Sequence, residues 1–387
     1  MKKRMILPAV ALVLLFTLGG CSKEKEENKT EATGIDWTTL EATETMDLSY
    51  ATGFSVTDYG SDYTLLSLEE SGDFLVVAEG AKTPSNLPED WVVLQQPLDH
   101  VYVASSGAMD YLRVIDALDG VSMTGTKAED WSIPEIAALV ESEEIIYAGK
   151  YSNPDYEYLI DDGCDLAIEN TMIYHSPEVK ETIESVGIPT LVERSSYEAN
   201  PMGRMEWVKL YGVLMNRREE AQEFFDAQVT KMQDTLQNAE EGDGNTAVYF
   251  YINTAGGINV RKPGDYISQM ISMAGGRYAM KELVGEIEDN STSMTIQMES
   301  FYAYAKDADV LIYNGSIYGA PLTLEDLVAQ QPLLADFKAV KNHRVYATTG
   351  DMYQQVSGTC EMILDFYAIL GDEGANEREL TYLYQLQ

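Results

Sequence analysis

The sequence predicts an α/β protein with two lobes joined by a long rigid helix and preceded by an N-terminal β-hairpin extension. Short apolar strands alternate with helical segments in residues 100–200 and again in residues 242–387. This order is typical of parallel sheets flanked by helices, so each half is predicted to be a Rossmann-like lobe. Residues 201–241 carry apolar side chains at helical spacing, which predicts the connecting helices.

The first twenty residues indicate export. Lys2, Lys3 and Arg4 precede a short apolar run followed by small residues, which is typical of a signal peptide, here residues 1–20. The segment Leu18-Gly19-Gly20-Cys21 resembles the lipobox of bacterial lipoproteins. The resemblance implies cleavage before Cys21 and attachment of lipid to that cysteine. An ordinary signal peptide with an incidental cysteine is the alternative.

Residues 21–45 are predicted to be a tether. Lys, Glu, Asn and Thr dominate residues 22–33, and apolar side chains are almost absent from them. We therefore expect an extracytoplasmic protein that is anchored to the cell membrane by its N-terminal lipid and contacts the membrane through that lipid only.

Residues 46–99 are predicted to form a β-rich extension built from hairpins. Gly, Asp and Ser turn residues separate four short apolar stretches, at residues 48–50, 54–56, 63–66 and 74–77. The sequence indicates no function for this extension.

Both lobes show short strands that are followed by helical segments. In the first lobe, residues 100–200, strands are predicted at 101–103, 166–168 and 188–192, and helices at 109–118 and 177–186. In the second lobe, residues 242–387, strands are predicted at 247–251, 310–313 and 345–347, and helices at 264–274, 299–306 and 356–370. The repetition lies in this organisation, since no repeat of sequence links the two lobes.

The connecting region has a recognisable start and a predicted break. Asn200 is suited to cap a helix N-terminus, and Pro201 suits the first helical position, where no amide donor is needed. Asn216 separates two well-formed halves, so we expect a short interruption there. The second half, residues 217–239, would span about 33 Å at roughly 1.5 Å per residue, enough for a rigid strut between the lobes. An ordinary surface helix is the alternative.

The composition argues against several classes of function. The net charge of -38 disfavours nucleic acid or anionic lipid as a partner. His100, His175 and His343 lack metal-ligand spacing, and the sequence contains neither a Gly-rich phosphate loop nor a nucleophile elbow. We therefore expect no catalytic residue, no metal site and no cofactor. Cys164 and Cys360 lie in different halves and are expected to be unpaired thiols.

Several stretches together resemble one known family. They are residues 153–160 leading into 164–168, residues 187–192, residues 217–221, residues 273–276, and residues 297–300 leading into 308–312. Their order and spacing are similar to those of the substrate-binding proteins of class III ABC importers for ferric siderophores, haem and cobalamin. The matches cover most of residues 100–370, whereas the extension at 46–99 is not a general feature of that family.

The resemblance implies a monomer that clasps a ligand between its lobes and docks on an ABC permease driven by an ATPase. The rigid helix would permit only a small hinge motion. In this family one glutamate on each lobe meets permease arginines, and the matching positions are Glu157 and Glu299. An exposed carboxylate is able to accept a bidentate contact from arginine. The alternative is two solvated helix residues among the 64 acidic ones.

The ligand site is expected in the crevice at the carboxyl ends of the strands. Candidates from the first lobe are Ser105, Ser106, Asn170, Thr171, Met172, Arg194 and Tyr197. Candidates from the second lobe are Asn253, Arg261, Asn314, Tyr318, Met352 and Tyr353. Arginine is scarce in this chain, so Arg194 and Arg261 near strand ends indicate a carboxylate, a phosphate or an anionic iron chelate as ligand. A surface or salt-bridged arginine is the alternative at each position.

Three functions remain open from the sequence. The first is a lipid-anchored receptor that delivers a small-molecule metal chelate, a ferric siderophore or another iron complex, to an importer. The second keeps this role with a corrinoid or haem as cargo; haem usually needs an axial His or Tyr, and Tyr174 and His175 follow a predicted strand. The third is a surface hydrolase, for which the sequence offers no recognisable nucleophile and base.

Overall fold

The computed structural model describes residues 35–236, 244–283, 292–371 and 378–387. The predicted signal peptide, Cys21 and the first part of the predicted tether lie outside the described residues, as does the predicted helix end at residues 237–239. Within the described ranges, no helix combines the length and the apolar character needed to cross a membrane.

The described part of the chain alternates strands and helices over most of its length. Its helices are α1 (Ser106–Val114), α2 (Pro134–Glu141), α3 (Tyr156–Asp162), α4 (Pro177–Ser185), α5 (Pro201–Glu206), α6 (Val208–Leu214), α7 (Arg218–Leu236), α8 (Tyr266–Met273), α9 (Met298–Ala305), α10 (Leu324–Gln330), α11 (Lys338–Lys341) and α12 (Thr359–Leu370). Its strands are β1 (Glu44–Thr45), β2 (Phe54–Tyr59), β3 (Tyr63–Leu68), β4 (Gly72–Val77), β5 (Val92–Gln95), β6 (Val101–Val103), β7 (Val121–Thr124), β8 (Ile146–Tyr147), β9 (Gly149–Lys150), β10 (Asn153–Pro154), β11 (Leu166–Asn170), β12 (Thr190–Glu193), β13 (Thr246–Ile252), β14 (Ile258–Arg261), β15 (Arg277–Tyr278), β16 (Ser293–Ile296), β17 (Val310–Tyr313), β18 (Val345–Thr348) and β19 (Leu383–Gln385).

The N-terminal extension is a five-stranded sheet in the order β1-β2-β3-β4-β5. It contains the expected hairpins β2–β3 and β3–β4, and it is larger than those hairpins because β5 pairs in parallel with β4. The strand expected at residues 48–50 does not form. The amides of Ser49 and Tyr50 donate instead to the carboxylate of Glu206, at 3.0 and 2.7 Å, so they are not available for pairing with a strand.

The structure differs from the predicted tether over residues 35–45. The ring of Trp37 packs on Tyr59 and Trp91, with centroids 4.4 and 5.0 Å away. Strand β1 pairs with β2. These residues therefore belong to the N-terminal sheet, to which the half-buried Trp37 ring and the pairing of β1 attach them.

The first lobe is built on a parallel sheet in the order β12-β11-β6-β7-β8. Most residues of these strands are buried because helices and the rest of the molecule cover both faces of the sheet. All five strands point the same way, so the residues that follow them meet at one edge of the sheet.

The sheet of the second lobe is mixed, whereas the strand–helix alternation predicted a parallel one. Strands β13, β17 and β18 are parallel, while β14, β16 and β19 pair antiparallel with their neighbours. The reason is local: β13 and β14 are joined by a tight turn in which the Asn253 side chain accepts from the amides of Ala255 and Gly257. A connection this short permits only antiparallel pairing.

Three helices connect the lobes. The side chain of Asn200 caps α5 by accepting from the Met202 amide at 2.9 Å, and Pro201 occupies the first turn, as expected. Asn216 lies between α6 and α7 with φ of 54°, so the predicted interruption is present. Gly212 lets α6 approach α7 closely, since a Cβ there would lie 2.7 Å from that of Ala221.

The lobes and the extension pack against one another. The Ser357 amide donates to Asp110 Oδ2 at 2.8 Å, and the Ser132 amide donates to Gln354 Oε1 at 2.7 Å, each bond joining one lobe to the other. One hydrophobic cluster includes Val56 of the extension, Leu112 of the first lobe, Trp207 of the connection and Phe250 of the second lobe. Among the described residues, Cys164 and Cys360 are buried free thiols.

Candidate functional site

Arg194 follows β12 and lies almost buried at the edge where the first lobe faces the second. Its side chain is only 8% exposed and forms an ion pair with Glu70 of the N-terminal sheet at 2.6 Å. It also donates to the Tyr174 hydroxyl at 3.3 Å and covers the ring of Tyr197, 4.7 Å from the centroid. Burial lowers the pKa of Arg194, but the Tyr174 hydroxyl and the Glu70 carboxylate outweigh it, so the pKa is raised and the charge is held.

A cavity of about 410 Å³ lies between the two lobes beside Arg194. Four parts of the molecule form its walls: the β3–β4 turn of the N-terminal sheet, the segment after β12, the segment after β14, and Thr292 just before β16. Its lining residues are Glu69, Glu70, Arg194, Ser196, Tyr197, Glu198, Ala199, Lys262, Pro263, Gly264, Asp265, Tyr266 and Thr292. We call it the interlobe cavity. Arg194 and Tyr197 are the predicted site residues that line it.

Arg261 is held within a cluster of tyrosines next to the interlobe cavity. Its guanidinium donates to the hydroxyls of Tyr353 at 2.5 Å and Tyr266 at 3.4 Å, and it lies 3.6 Å from the Asp265 carboxylate. Asn314 Nδ2 donates to the same Tyr353 hydroxyl at 3.0 Å. The structure therefore brings together Arg261, Asn314 and Tyr353, three of the candidates from the second lobe.

Met352 lies beside this group. The Tyr249 hydroxyl donates to its sulfur at 3.5 Å, and the Tyr249 ring lies 5.9 Å from the Arg261 guanidinium. Burial raises the pKa of Tyr249 well above its usual range, so its hydroxyl stays protonated. Four of the six candidates from the second lobe thus form one connected polar cluster under the cavity.

Three other candidates use their polar groups to hold local structure. Ser105 caps α1 by accepting from the Ala108 amide at 3.4 Å. Asn170 donates to the Ala104 carbonyl and accepts from the Met172 amide, at 3.1 and 2.9 Å. Asn253 closes the β13–β14 turn through its side-chain oxygen. These groups shape the edges of the crevice.

The remaining candidates sit at the strand ends with varied exposure. Ser106 and Thr171 are half-buried, at the start of α1 and just after β11. Met172 and Tyr318 are exposed, one on each lobe, and the Tyr318 ring packs edge-on against Tyr251 at 5.8 Å. The structure does not join these four to the Arg194 or Arg261 groups by any of the contacts found in its described part.

Several residues of this region were not among the candidates proposed for the crevice, although Tyr174 was named in connection with haem. Tyr174 had a sequence signal, since it follows β11 by four residues and the chain is rich in tyrosine. Tyr266 and Asp265 start α8, where Asp265 accepts from the Ile267 amide as a helix cap, and that pattern is visible in the sequence. Glu70 had no signal, because it lies 124 residues before Arg194 in a separate sheet.

Glu157 and Glu299 occupy matching places on the two lobes. Glu157 lies in the first turn of α3 and Glu299 in the first turn of α9, and both are exposed. As for metals, the described residues contain no group of three or more His, Cys, Asp or Glu side chains placed to hold an ion.

The comparisons with known proteins agree with this architecture. A family model described as "Periplasmic binding protein" matches residues 105–352. Among related sequences, the uncharacterized lipoprotein MJ0878 of Methanocaldococcus jannaschii is 25% identical, over 99% of this chain and 96% of that protein. The uncharacterized lipoprotein MJ0872 of the same organism is 21% identical, over the whole length of both chains.

Solved structures share the fold at low identity. The periplasmic heme binding protein HutB of Vibrio cholerae has a TM-score of 0.56 at 14% identity, covering 69% of this chain and 98% of that chain. The petrobactin-binding protein YclQ of Bacillus subtilis has a TM-score of 0.54 at 16% identity, and the match covers 71% of this chain and 93% of that chain. The chain therefore belongs to the periplasmic binding protein family, and its fold is that of the solute-binding proteins of class III ABC importers.

Proposed function

We propose that this protein is the lipid-anchored receptor of an ABC importer and that it captures a ferric siderophore or a related iron complex between its lobes. The observation that carries the proposal is the placement of Arg194. A guanidinium that is 8% exposed, with two tyrosine rings beside it, lines a cavity whose opposite wall belongs to the second lobe.

The chemistry of this arrangement suits an anionic chelate with aromatic or carboxylate donor groups. A buried guanidinium binds carboxylate and catecholate oxygens more strongly than an exposed one, because water competes less for it. Tyrosine hydroxyls offer further hydrogen bonds, and their rings offer flat apolar surface. The petrobactin-binding relative has a siderophore ligand by its name, which supports the same class of cargo here.

A corrinoid or haem is the second candidate cargo. It is favoured by exposed tyrosine rings at or just after the ends of strands, Tyr147, Tyr174, Tyr197 and Tyr318, of which Tyr197 lines the interlobe cavity. Such rings pack well against a planar macrocycle, and a tyrosine hydroxyl is a known axial ligand of haem iron. The relative HutB is a heme binding protein by its name, which supports this alternative.

Titration of the purified protein with a panel of cargoes tests the proposal. Ferric siderophores are expected to quench tryptophan fluorescence in a saturable manner, and Arg194→Ala should weaken their binding by about 1.5–3 kcal/mol, the usual range for a hydrogen bond to a charged group. Binding of haem or cobalamin alone, with no response to any iron chelate, would establish the second candidate instead.

The membrane anchor is proposed on the lipobox resemblance and on relatives named lipoproteins. Cys21→Ala should release the protein from membranes or block its maturation. Persistence of the variant in the membrane fraction after a carbonate wash would contradict the anchor.

A further inference from the structure

The β3–β4 turn of the N-terminal sheet reaches the interlobe cavity and presents Glu70 to Arg194. Glu70 adopts φ of 58°, a left-handed conformation that is uncommon outside glycine, and this conformation forms the tip of the turn. The turn is also attached to the first lobe, since Ser71 Oγ donates to the carbonyl of Val192, two residues before Arg194. The extension therefore contributes a charged side chain to a cavity that otherwise belongs to the two lobes.

The two partners of this ion pair differ in their access to water. The Arg194 side chain is 8% exposed, whereas the Glu70 side chain is 54% exposed. A buried cation needs an anionic partner because its own hydration is lost, while an exposed carboxylate is readily rehydrated. Glu70 is thus the exchangeable member of the pair, and another anion is able to take its place on Arg194.

Two other carboxylates of the cavity wall are already held by other groups. Asp265 caps α8 by accepting from the Ile267 amide at 2.8 Å, and its carboxylate lies 3.6 Å from Arg261. Glu198 accepts from the amides of Thr52 and Gly53, at 2.9 and 2.8 Å, and from the indole nitrogen of Trp207 at 2.9 Å. Glu69, the neighbour of Glu70, lines the cavity without an ion pair to Arg194 among the contacts of the described residues. Glu70 is therefore the carboxylate that competes for this guanidinium.

We propose that Glu70 is a specificity-determining residue of the interlobe cavity: it competes with the ligand for the Arg194 guanidinium, so that only a ligand with an anionic group able to displace it binds tightly. The inference rests on the proposed function in that the cavity receives the cargo. It adds that the N-terminal sheet selects the cargo by charge.

The test compares Glu70→Gln by isothermal titration calorimetry with the control Glu44→Gln, which removes an exposed carboxylate on β1 of the same sheet, outside the lining of the interlobe cavity. The probes are a ferric tris-catecholate chelate, which carries a net negative charge, and a ferric tris-hydroxamate chelate, which is neutral. Removing the competing charge at position 70 should tighten binding of the catecholate chelate by roughly two- to fivefold, the range expected for a partly exposed ion pair. Binding of the hydroxamate chelate, and both affinities of the control, should stay unchanged.

Unchanged or weaker binding of the catecholate chelate by Glu70→Gln overturns the inference, and so does an equal gain in the control. If neither chelate binds the wild-type protein, the cargo proposal fails by itself, and citrate then serves as a metal-free anion. Tighter citrate binding by Glu70→Gln than by the wild type supports competition at Arg194. Equal binding, or none to either protein, overturns it.

Discussion

Glu169 is a buried carboxyl group on β11, next to the crevice residue Asn170. Its side chain is inaccessible to solvent, and neither of its oxygens has a hydrogen-bond partner among the described residues. Burial raises the pKa of Glu169 to about 8 from its ordinary value of 4.5. The folded protein therefore keeps this group protonated at neutral pH, because a charge without a partner is costly in an apolar environment.

The raised pKa of Glu169 makes the stability of the folded protein depend on pH. Between pH 4.5 and 8 the folded state holds a proton on Glu169 that the unfolded state has lost. The contribution of Glu169 to the unfolding free energy is therefore fully present at low pH, and it is lost as the pH rises through this window. In the wild type, Glu169 should lower the unfolding free energy by roughly 4 kcal/mol between pH 5 and pH 8.5. We expect this decline to be absent in Glu169→Gln.

Urea denaturation across this pH range measures the effect, with Glu181→Gln, an exposed residue of α4, as the control. Comparison of variant with wild type cancels the titration of other buried acids. Parallel pH profiles for Glu169→Gln and the wild type would show that Glu169 is hydrated or paired in solution.

At the scale of elements, helix α5 joins the N-terminal sheet to the connection between the lobes. The carboxylate of Glu206 accepts from the amides of Ser49, Tyr50 and Ala51, at 2.7–3.0 Å, and from Lys209 Nζ at 2.8 Å. Burial raises the pKa of Glu206, but Lys209 and the three amides outweigh it, so the pKa is lowered. One buried anion thus holds a loop, a helix and a buried lysine together.

Replacement of Glu206 by alanine is expected to destabilise the protein by about 3–5 kcal/mol, because it leaves the buried Lys209 charge and three amides without their partner. Chemical denaturation measures the loss, and cleavage by a protease in residues 47–53 should increase. Glu219→Ala, at an exposed position of α7, is the control. A loss below about 1 kcal/mol, typical of a surface pair, would contradict this role.

At the scale of the whole molecule, Glu157 and Glu299 place one exposed carboxylate on each lobe. If both meet permease arginines, the double variant Glu157→Ala with Glu299→Ala should keep its ligand affinity and lose most transport. Substitution by Lys should reduce transport further, because it adds repulsion between like charges. The effect should weaken as salt rises, as expected for charges at an interface rim.

Uptake into cells and equilibrium binding are measured on the same proteins. The control is Glu178→Ala with Glu325→Ala, which removes one exposed first-turn carboxylate from each lobe at α4 and α10. Normal uptake by the Glu157 and Glu299 double variant would reject the docking assignment. Loss of ligand binding would instead assign these residues to the binding site.

The sequence by itself determined the α/β class, the two lobes and the connecting helices. Asn200 and Pro201 start α5, and Asn216 ends the first part of the connection, because caps and left-handed residues act on the backbone within a few positions. Strand and helix periodicity is likewise local. The strand ends also indicated Arg261, Asn314 and Tyr353, which the structure joins through one hydroxyl.

Only the tertiary structure decided which distant groups meet. The apolar pattern at residues 48–50 predicts a strand, but the amides of that segment donate to the carboxylate of Glu206. At Tyr50 the two partners are 156 residues apart in the chain. Arg194 was indicated as a ligand-binding residue, yet its partner Glu70 comes from another sheet. Local propensity carries no information on such pairs, because a buried charge is stabilised by whichever opposite group the packing of the whole chain brings within reach.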